Sequence, residues 1–361
     1  MILTSHQRTF QHYQEIPFYA HDTQIDLAHI RRLTNPVGIA QHAKFATPDY
    51  NHGYCLDDNS RALMLAGLSN RVYPHSCDKL IDTYLAFIHY MQRDNGQFGN
   101  FLAFDHQFLD KYGTQDAFGR TIWALGSLMY NDDRKHVQQL LKEIIDKAYT
   151  HISDIKSIRA AAYALCGLVY MFHSKQYKKD LIQEIYLLAD FISNEYEKSA
   201  TDEWLWYEEI ISYDNAIIPY SLMLTKGILF EEKYLMYSLD SAAFLDEIIF
   251  KNDKLELIGN AGWYKKNGSK SCVGEQPIEI PSLILMYHKL AEINNAPKFY
   301  GKAKDCFNWF YGNNRLNAVI FDATTKGCRD GIDKDAVNQN QGAESTISYW
   351  LAHTYIHYEI Y

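Results

Sequence analysis

Carboxylates recur where predicted apolar helices begin. Five of six such helix starts carry one, and the third carries Arg159 instead. An acidic residue in the first turn of a helix is common, because it caps free backbone N–H groups and complements the helix dipole. A repeated set, accompanied by arginines and amides, is better explained by a shared site. The acidic residues are Asp57 with Asp58, Asp116, Asp214, Glu279 with Glu275 beside it, and Glu344.

Glycoside hydrolysis is the chemistry that fits such a set best. The reaction needs two carboxyl groups, one that donates a proton and one that activates water or attacks the sugar. Glu208 follows the aromatic run at 204–207. A glutamate beside rings loses solvation, which raises its pKa and favours a general acid, so we predict Glu208 in that role. The predicted base or nucleophile is one of Asp58, Asp214, Glu279 and Glu344.

Aromatic and hydrogen-bonding side chains near the same helix starts are predicted to bind the substrate. Rings offer stacking surfaces for the apolar faces of sugars, although residues 204–207 could equally clamp a loop onto the rim of the fold. Arginine and amide groups can pair with sugar hydroxyls. The predicted binding residues are His52, Tyr54, Asp57, Asn59, Arg61, Asp116, Arg120, Trp204, Trp206, Tyr207, Tyr213, Trp263, Gln276 and Gln341.

The stretch HGYCLDDNSRAL, residues 52–63, holds the densest group of these side chains. Gly53 and a nearby proline indicate a loop, and the apolar residues up to position 68 indicate the helix that follows it. Asp57 and Asp58 would then lie at the mouth of a helical barrel. Because other helix starts offer carboxylates to the same space, neither aspartate is singled out as the catalyst.

Other functions of the same residues stay open. A non-catalytic glycan-binding module would bind oligosaccharide without turnover. A sugar epimerase or isomerase would need groups that remove a carbon-bound proton, and His52 is the only loop histidine in the strongest motif. A polysaccharide lyase would need basic groups to neutralise a uronate, and only Arg61, Arg120 and Arg159 could serve.

The sequence gives little support to metal or cofactor chemistry. It has no GxSxG elbow, no P-loop and no dinucleotide-binding glycine motif. The six cysteines are scattered without a CxxC pair, and His42 and His52 are too few for a metal site. An acidic pair such as Asp57–Asp58 can hold Mg²⁺ for phosphoryl chemistry, but no second motif of that kind accompanies it. We therefore predict no metal and no cofactor.

Amphipathic helices alternate along the chain with nearly all-apolar ones, six times over. A helix that is apolar all round is buried, whereas an amphipathic one keeps a solvent face. Six buried helices ringed by six half-exposed ones make an (α/α)6 barrel, an all-α fold. The alternative, a helical solenoid, would not need polar groups at the same end of nearly every inner helix. The predicted helices are 24–33, 52–69 with its loop, 77–93, 121–130, 135–151, 157–172, 180–198, 217–229, 233–250, 280–292, 297–311 and 346–358.

The whole-chain properties limit the partners. No linker divides the chain, so we predict one domain over residues 1–361. The net charge is −9 and no basic run occurs, which argues against nucleic acid as a partner. No run is long and apolar enough to span a bilayer, and residues 1–10 lack the apolar region of a signal peptide. We therefore expect a cytoplasmic protein whose partner is a carbohydrate.

Six motifs together resemble a bacterial family. They are HGYCLDDNSRAL at 52–63, DAFGR at 116–120, WLWYE and YDNA within 204–216, QPIE at 276–279, GCRDG at 327–331 and NQGAEST at 340–346. From about residue 25 to 358 the chain resembles six-hairpin glycosidase-like domains. These are found alone or attached to the C-terminal side of glycosyltransferases in sugar-polymer gene clusters. The resemblance implies an (α/α)6 barrel and a glycosidase-like activity, and it carries over no catalytic residue.

One position departs from the pattern that the resemblance implies. Where the family would have an Asp-Gln-Gln-Pro run, this chain has Glu275-Gln276-Pro277 directly after Gly274. The acid is kept as a glutamate, but the register is one residue shorter, which bears on the role of Glu275 more than on that of Glu279. The resemblance also implies a glycosyltransferase partner, which we expect to be a separate polypeptide.

Overall fold

The computed structural model describes residues 23–251 and 254–358 of the chain. Within these ranges, helices α1 to α12 span Ala28–Leu33, Leu56–Val72, Asp78–Met91, Gln115–Asn131, Lys135–Ala148, Ile158–His173, Ile182–Ser199, Ile217–Leu224, Glu232–Ile249, Glu279–Asn294, Lys298–Asn308 and Ala343–Tyr358. A 3-10 helix, Tyr149–Asp154, follows α5. Residues 1–10, for which the sequence predicts no signal peptide, lie outside the described ranges.

The even-numbered helices form a closed inner ring. Each packs against the next, and α12 packs against α2 to complete the circle. The odd-numbered helices lie outside this ring, each against an inner neighbour. An open solenoid would leave α2 and α12 apart, so the predicted (α/α)6 barrel is confirmed. No helix in the described part of the chain is long and apolar enough to cross a lipid bilayer.

The burial of the helices follows their sequence patterns. Helix α6 is buried continuously from Ile158 to Val169, whereas α5 buries only one face. The inner helices α4 and α6 also meet backbone to backbone. A Cβ atom at Gly126 would lie 2.3 Å from the carbonyl oxygen of Gly167. Glycine is required there because any side chain would push the two helices apart.

Two helix boundaries differ from the predictions by five residues or more. Helix α4 begins at Gln115, earlier than the predicted residue 121, because the Thr114 hydroxyl accepts the Ala117 N–H and caps the helix. Helix α8 ends at Leu224 instead of residue 229. A turn follows it, in which Gly227 adopts a φ of 89° that a helix cannot contain.

Short antiparallel strands occupy the loops that lead from an outer helix into the next inner helix. The predicted loop before α2 is one of them: β2 pairs with β1 and β3 in a three-stranded sheet beside the start of α2. Strands β1 to β11 span Ala40–Lys44, Thr47–Cys55, Phe101–Leu102, Ile210–Ile211, Phe250–Lys251, Lys254–Leu255, Tyr264–Lys265, Phe321–Asp322, Gly327–Cys328, Gly331–Ile332 and Val337–Asn338.

Candidate active site

A cavity of about 470 Å³ lies at the end of the barrel where the inner helices begin. Side chains from α2, α4 and α12 line it, together with residues of the β1–β2–β3 sheet and of the loops before α8, α10 and α12. Several of the helix starts singled out in the sequence thus meet at one space. The predicted site residues that line the cavity are Asp57, Asp58, Arg61, Asp116, Arg120, Tyr213, Gln276 and Glu344.

Arg61 binds two carboxylates on the wall of the cavity. Its Nη1 lies 3.0 Å from Asp58 Oδ1, and its Nη2 lies 3.1 Å from Glu344 Oε2. Asp58 and Arg61 are three residues apart on α2 and so share a face of that helix. Glu344 comes from the first turn of α12. The guanidinium of Arg61 therefore lies between the two acids, at the contact between α2 and α12 that closes the barrel.

The environments of these two carboxyl groups differ. Asp58 is 3% exposed, and its burial raises its pKa to about 7, although the Arg61 guanidinium acts in the opposite direction. The side chain of Glu344 is 38% exposed. A buried carboxyl group with a pKa near neutrality can hold a proton and donate it, whereas an open carboxylate can act as a base or nucleophile. The geometry thus offers an acid and a base side by side.

Arg120 is a second buried arginine in the cavity wall. Its Nε lies 3.1 Å from Asp57 Oδ1 and its Nη1 lies 3.4 Å from Asp214 Oδ2. Its Nη2 donates to the Tyr163 hydroxyl at 2.6 Å, and that hydroxyl donates in turn to Asp214. Asp214, which is buried, therefore lies behind Arg120 and does not line the cavity. Asp57 faces the cavity from the other side of the arginine.

Glu279 braces the loop that carries Asp214. Its two carboxyl oxygens accept the backbone N–H groups of Asp214 and Asn215, the first at 2.6 Å. Burial raises the pKa of Glu279 to about 8, against the lowering effect of these hydrogen bonds. The side chain is absent from the cavity lining. This position gives it a part in holding Asp214, which adopts a left-handed φ of 46°.

Asp116 lines the cavity near the first turn of α4. It accepts hydrogen bonds from the Ser157 hydroxyl and from the Tyr213 hydroxyl. Tyr213 also lines the cavity, and the Arg159 guanidinium lies 4.7 Å from its ring centre. Trp263 is half-buried beside Tyr213, with ring centres 6.1 Å apart, and does not line the cavity.

The run at 204–208 does not form part of the cavity lining. Trp204, Trp206 and Tyr207 are all buried, packed in the hydrophobic core with rings of the outer helices such as Phe244. The structure places these three rings in the core, as the alternative of an aromatic clamp on the loop would have them, and away from the cavity. Glu208 pairs with Arg159 at 2.7 Å, which places the predicted general acid outside the cavity and beside a cation.

Four further predicted binding residues also lie away from the cavity lining. Strand β2 is exposed at His52, near Asp49, and buried from Gly53 onward, so that Tyr54 lies in the core and accepts from Asn35. Asn59 is buried and accepts the N–H of Ile39 at 2.9 Å. Tyr54 and Asn59 thus hold neighbouring segments in place, whereas the His52 ring lies 4.6 Å from that of His42, measured between ring centres. The fourth is Gln341, which bonds to Thr325 and Asp322.

Besides the Cys55 thiol, two titratable residues line the cavity without having been predicted. His42 lies on β1, and burial lowers its pKa. Asp330 accepts the Gly342 N–H at 2.8 Å, and burial raises its pKa. The GCRDG motif at 327–331 contains Asp330 and could have indicated it. His42 lies in strand β1, which an analysis of helical periodicity does not detect. Among the described residues, no group of three or more His, Cys, Asp or Glu is arranged to hold a metal ion.

Comparisons by sequence identify no relative. No protein-family model matches the chain, and no curated protein matches its sequence. Comparison of structures does find neighbours. A D-mannose isomerase superimposes with a TM-score of 0.70 at 13% identity, over 92% of this chain and 94% of that one. A cellobiose 2-epimerase from Bacillus thermoamylovorans gives 0.69 at 10% identity, over 91% and 95% of the two chains.

An α-1,6-mannanase from a Salegentibacter species is also similar. Its TM-score is 0.59 at 9% identity, over 91% of this chain and 96% of that one. The solved form is an inactive variant with alanine in place of two adjacent aspartates, in complex with α-1,6-mannotetrose. At such low identities these likenesses concern the fold. They show that the chain is an (α/α)6 barrel of the kind on which sugar isomerases, epimerases and glycosidases are built.

Proposed function

We propose that the chain is a glycoside hydrolase in which Asp58 is the general acid and Glu344 is the base or nucleophile. The observation that carries this proposal is their shared contact with Arg61 at the cavity wall. The two carboxyl groups bind the two terminal nitrogens of one guanidinium, so the distance between them is set by the width of that group and the lengths of the two contacts. This is compatible with the ~5 to 10 Å that separates the carboxyl groups of glycosidases.

The proposed step follows from the two environments. Asp58, whose pKa burial raises to about 7, gives its proton to the glycosidic oxygen as the bond from that oxygen to the anomeric carbon breaks. Glu344 either takes a proton from the water that bonds to the anomeric carbon or bonds to that carbon first and is released by water. Arg61 holds both groups in place through its two terminal nitrogens.

The remaining cavity residues provide contacts for sugar hydroxyls. Asp57, Asp116 and Gln276 line the cavity with acceptors and, for Gln276, an amide donor as well. Phe101 contributes a partly exposed ring to the lining. A support of another kind comes from the mannanase whose adjacent aspartates are replaced in its inactive form. Asp57 and Asp58 are likewise adjacent, and both line the cavity here.

The test is release of reducing sugar from oligomeric mannosides, glucosides and galactosides. Wild type is expected to act on at least one of them, and Asp58→Asn and Glu344→Gln to lower kcat/KM by roughly 100-fold or more. Glu143→Gln, which changes an exposed ion pair on an outer helix, is the matched control and should equal wild type. Saturable binding without release of sugar by wild type would instead support a glycan-binding module, for instance one that serves a separate glycosyltransferase.

A sugar isomerase or epimerase is the second candidate, and His42 is the observation that favours it. Burial lowers the pKa of this cavity-lining histidine, so a neutral imidazole is available to remove a carbon-bound proton. The two activities separate in heavy water. An isomerase or epimerase would incorporate deuterium into a free aldose in a His42-dependent manner, whereas the proposed hydrolase would leave the carbon-bound hydrogens of the sugar unexchanged.

A further inference from the structure

Both arginines of the cavity are engaged by carboxylates of the chain. Arg61 binds Asp58 and Glu344, and Arg120 binds Asp57 and Asp214. Two guanidinium groups thus meet four carboxyl groups. No lysine is present among the described residues that line the cavity.

Neither arginine presents a free surface to a ligand. The side chain of Arg61 is 6% exposed and that of Arg120 is 5% exposed. The Nη2 of Arg120 is already bound to the Tyr163 hydroxyl, and its guanidinium lies 4.0 Å from the centre of that ring. The Arg61 Nε has no partner in the described part of the chain, but it is buried out of reach. An anion in the cavity would have to compete with a carboxylate at either arginine.

The other ionisable groups of the lining add no positive charge. Asp116 receives hydrogen bonds from two hydroxyl groups, and Asp330 receives one from the Gly342 N–H. Burial lowers the pKa of His42, which keeps its imidazole neutral at pH 7. Acidic groups therefore exceed basic ones in the cavity. Like charges brought together in a site of low dielectric repel each other strongly, so an anionic ligand is disfavoured.

We propose that this cavity takes uncharged glycans and excludes anions, namely uronic, sulfated and phosphorylated sugars and inorganic phosphate. The proposal rests on the proposed function for its sugar ligand and deepens it by naming the substrate class. It also assigns water, not phosphate, as the acceptor of the glycosyl group. A phosphate acceptor needs a free cation to replace its hydration, and the cavity arginines are already paired.

Calorimetric titration with inorganic phosphate tests the exclusion directly. Glu344→Gln releases Nη2 of Arg61 from its ion pair, whereas Glu143→Gln makes the same change in an exposed pair with Lys147. At constant ionic strength, Glu344→Gln should bind phosphate at least about ten-fold more tightly than wild type and Glu143→Gln. Equal behaviour of wild type and Glu344→Gln, whether both bind or neither does, would overturn the proposal. Asp57→Asn repeats the test at Arg120 if Glu344→Gln does not fold.

Matched methyl glycosides and methyl uronides of the gluco, galacto and manno series test the sugar side by saturation-transfer NMR. The neutral member of at least one pair should bind, and its uronide should bind at least about ten-fold more weakly. A uronide that binds as tightly as its neutral partner would overturn the proposal. If the protein binds no glycoside but gives the expected phosphate result, the exclusion of anions is supported and the proposed hydrolase function is contradicted.

Discussion

Arg61 holds its two partners in different environments, because it reaches one inside the barrel wall and the other at the open cavity. Asp58 is almost fully buried, so its charged form is poorly solvated even beside a cation. Glu344 keeps contact with solvent and with the second nitrogen of the guanidinium. One residue thus holds side by side a buried acid whose pKa is raised to about 7 and a carboxyl group that is open to solvent.

The pH dependence of hydrolysis should report the state of Asp58. Its pKa is about 7, and it must carry a proton to act, so kcat/KM should fall as the pH rises above about 7. The Arg61 guanidinium lowers that pKa. Arg61→Gln should therefore shift the alkaline limb to higher pH while lowering the maximal rate. The measurement is the pH profile of kcat/KM for both proteins.

Arg71→Gln is the control for this shift, because Arg71 lies on the same helix at the opposite end of the barrel and bonds to Asn131. Its profile should match that of wild type. An alkaline limb that stays in place or moves to lower pH in Arg61→Gln would contradict the assignment of Asp58 as the acid.

Glu279 should make folding stability depend on pH. Burial raises its folded pKa from 4.5 to about 8, so the folded chain keeps a proton that the unfolded chain releases. Its stabilising contribution is fully present below the unfolded pKa and is lost as the pH rises through the folded pKa. Glu279→Gln removes the titrating group, so the free energy of unfolding should fall less steeply between pH 5 and 8 than in wild type. Urea denaturation across this range measures both slopes.

The control for that slope is Glu292→Gln, an exposed glutamate of the same helix that pairs with Lys289. It should retain the wild-type slope. Parallel curves for Glu279→Gln and wild type would show that the Glu279 carboxyl group does not take up a proton on folding.

At this scale the sequence indicates which acids stand at helix starts but not which partners they meet. Glu208 looks like a desolvated acid from its aromatic neighbours, yet it pairs with Arg159, 49 positions away in the chain. Glu279 and Glu344 both lie in the first turn of an inner helix, yet the Glu279 carboxyl group accepts backbone N–H groups behind the cavity wall and does not line the cavity. Partner choice depends on tertiary contacts, which local spacing does not contain.

At the scale of elements, the contact between α4 and α6 depends on paired glycines. Gly126→Ala would place a Cβ 2.3 Å from the Gly167 carbonyl oxygen, which is backbone and cannot move aside. We expect a loss of about 1 to 3 kcal/mol in the free energy of unfolding, measured with urea. Gly67→Ala is the matched inner-helix control, since its Cβ meets only the end of the Leu128 side chain at 3.0 Å. Equal stability of Gly126→Ala and wild type would contradict the close packing.

The aromatic residues divide into core and cavity groups, and a pair of substitutions separates them. Trp206 is 0% exposed, so Trp206→Ala should lower stability by about 3 to 5 kcal/mol. Phe101 lines the cavity and is partly exposed, so Phe101→Ala should weaken glycan binding with a change in stability of about 0.5 kcal/mol or less. Thermal unfolding and glycan titration measure the two effects. A Trp206→Ala variant that keeps its stability but binds glycan more weakly would contradict the assignment of Trp206 to the core and indicate a contact with the ligand.

The strands beside α2 show where periodicity fails as a predictor. Residues 47–55 carry a proline, a glycine and few alternating apolar side chains, so they indicate a loop, but they form β2. This strand is held by pairing with β1 and with the distant β3. The sheet brings His42 and Phe101 to the cavity. Non-local pairing of this kind leaves little trace in a local pattern.

At the scale of the whole molecule, the alternation of apolar and amphipathic helices was sufficient to predict the (α/α)6 barrel. Burial of six helices inside six others has few solutions, and the long loops before the inner helices place the polar residues at one end. The closure of α12 on α2 then brings Glu344 to Arg61, across most of the length of the chain. The proposed catalytic pair is thus a product of ring closure and cannot be predicted from either motif alone.

The most direct test of the proposed hydrolysis compares two leaving groups in the same variants. A 2,4-dinitrophenyl glycoside of the accepted sugar needs no proton on its leaving group, whereas a methyl or oligosaccharide glycoside does. Asp58→Asn should lose roughly 100-fold or more in kcat/KM on the unactivated glycoside and retain most activity on the dinitrophenyl glycoside, and Glu344→Gln should lose activity on both. Equal losses by Asp58→Asn on both substrates, or full activity of either variant on the unactivated glycoside, would contradict the account.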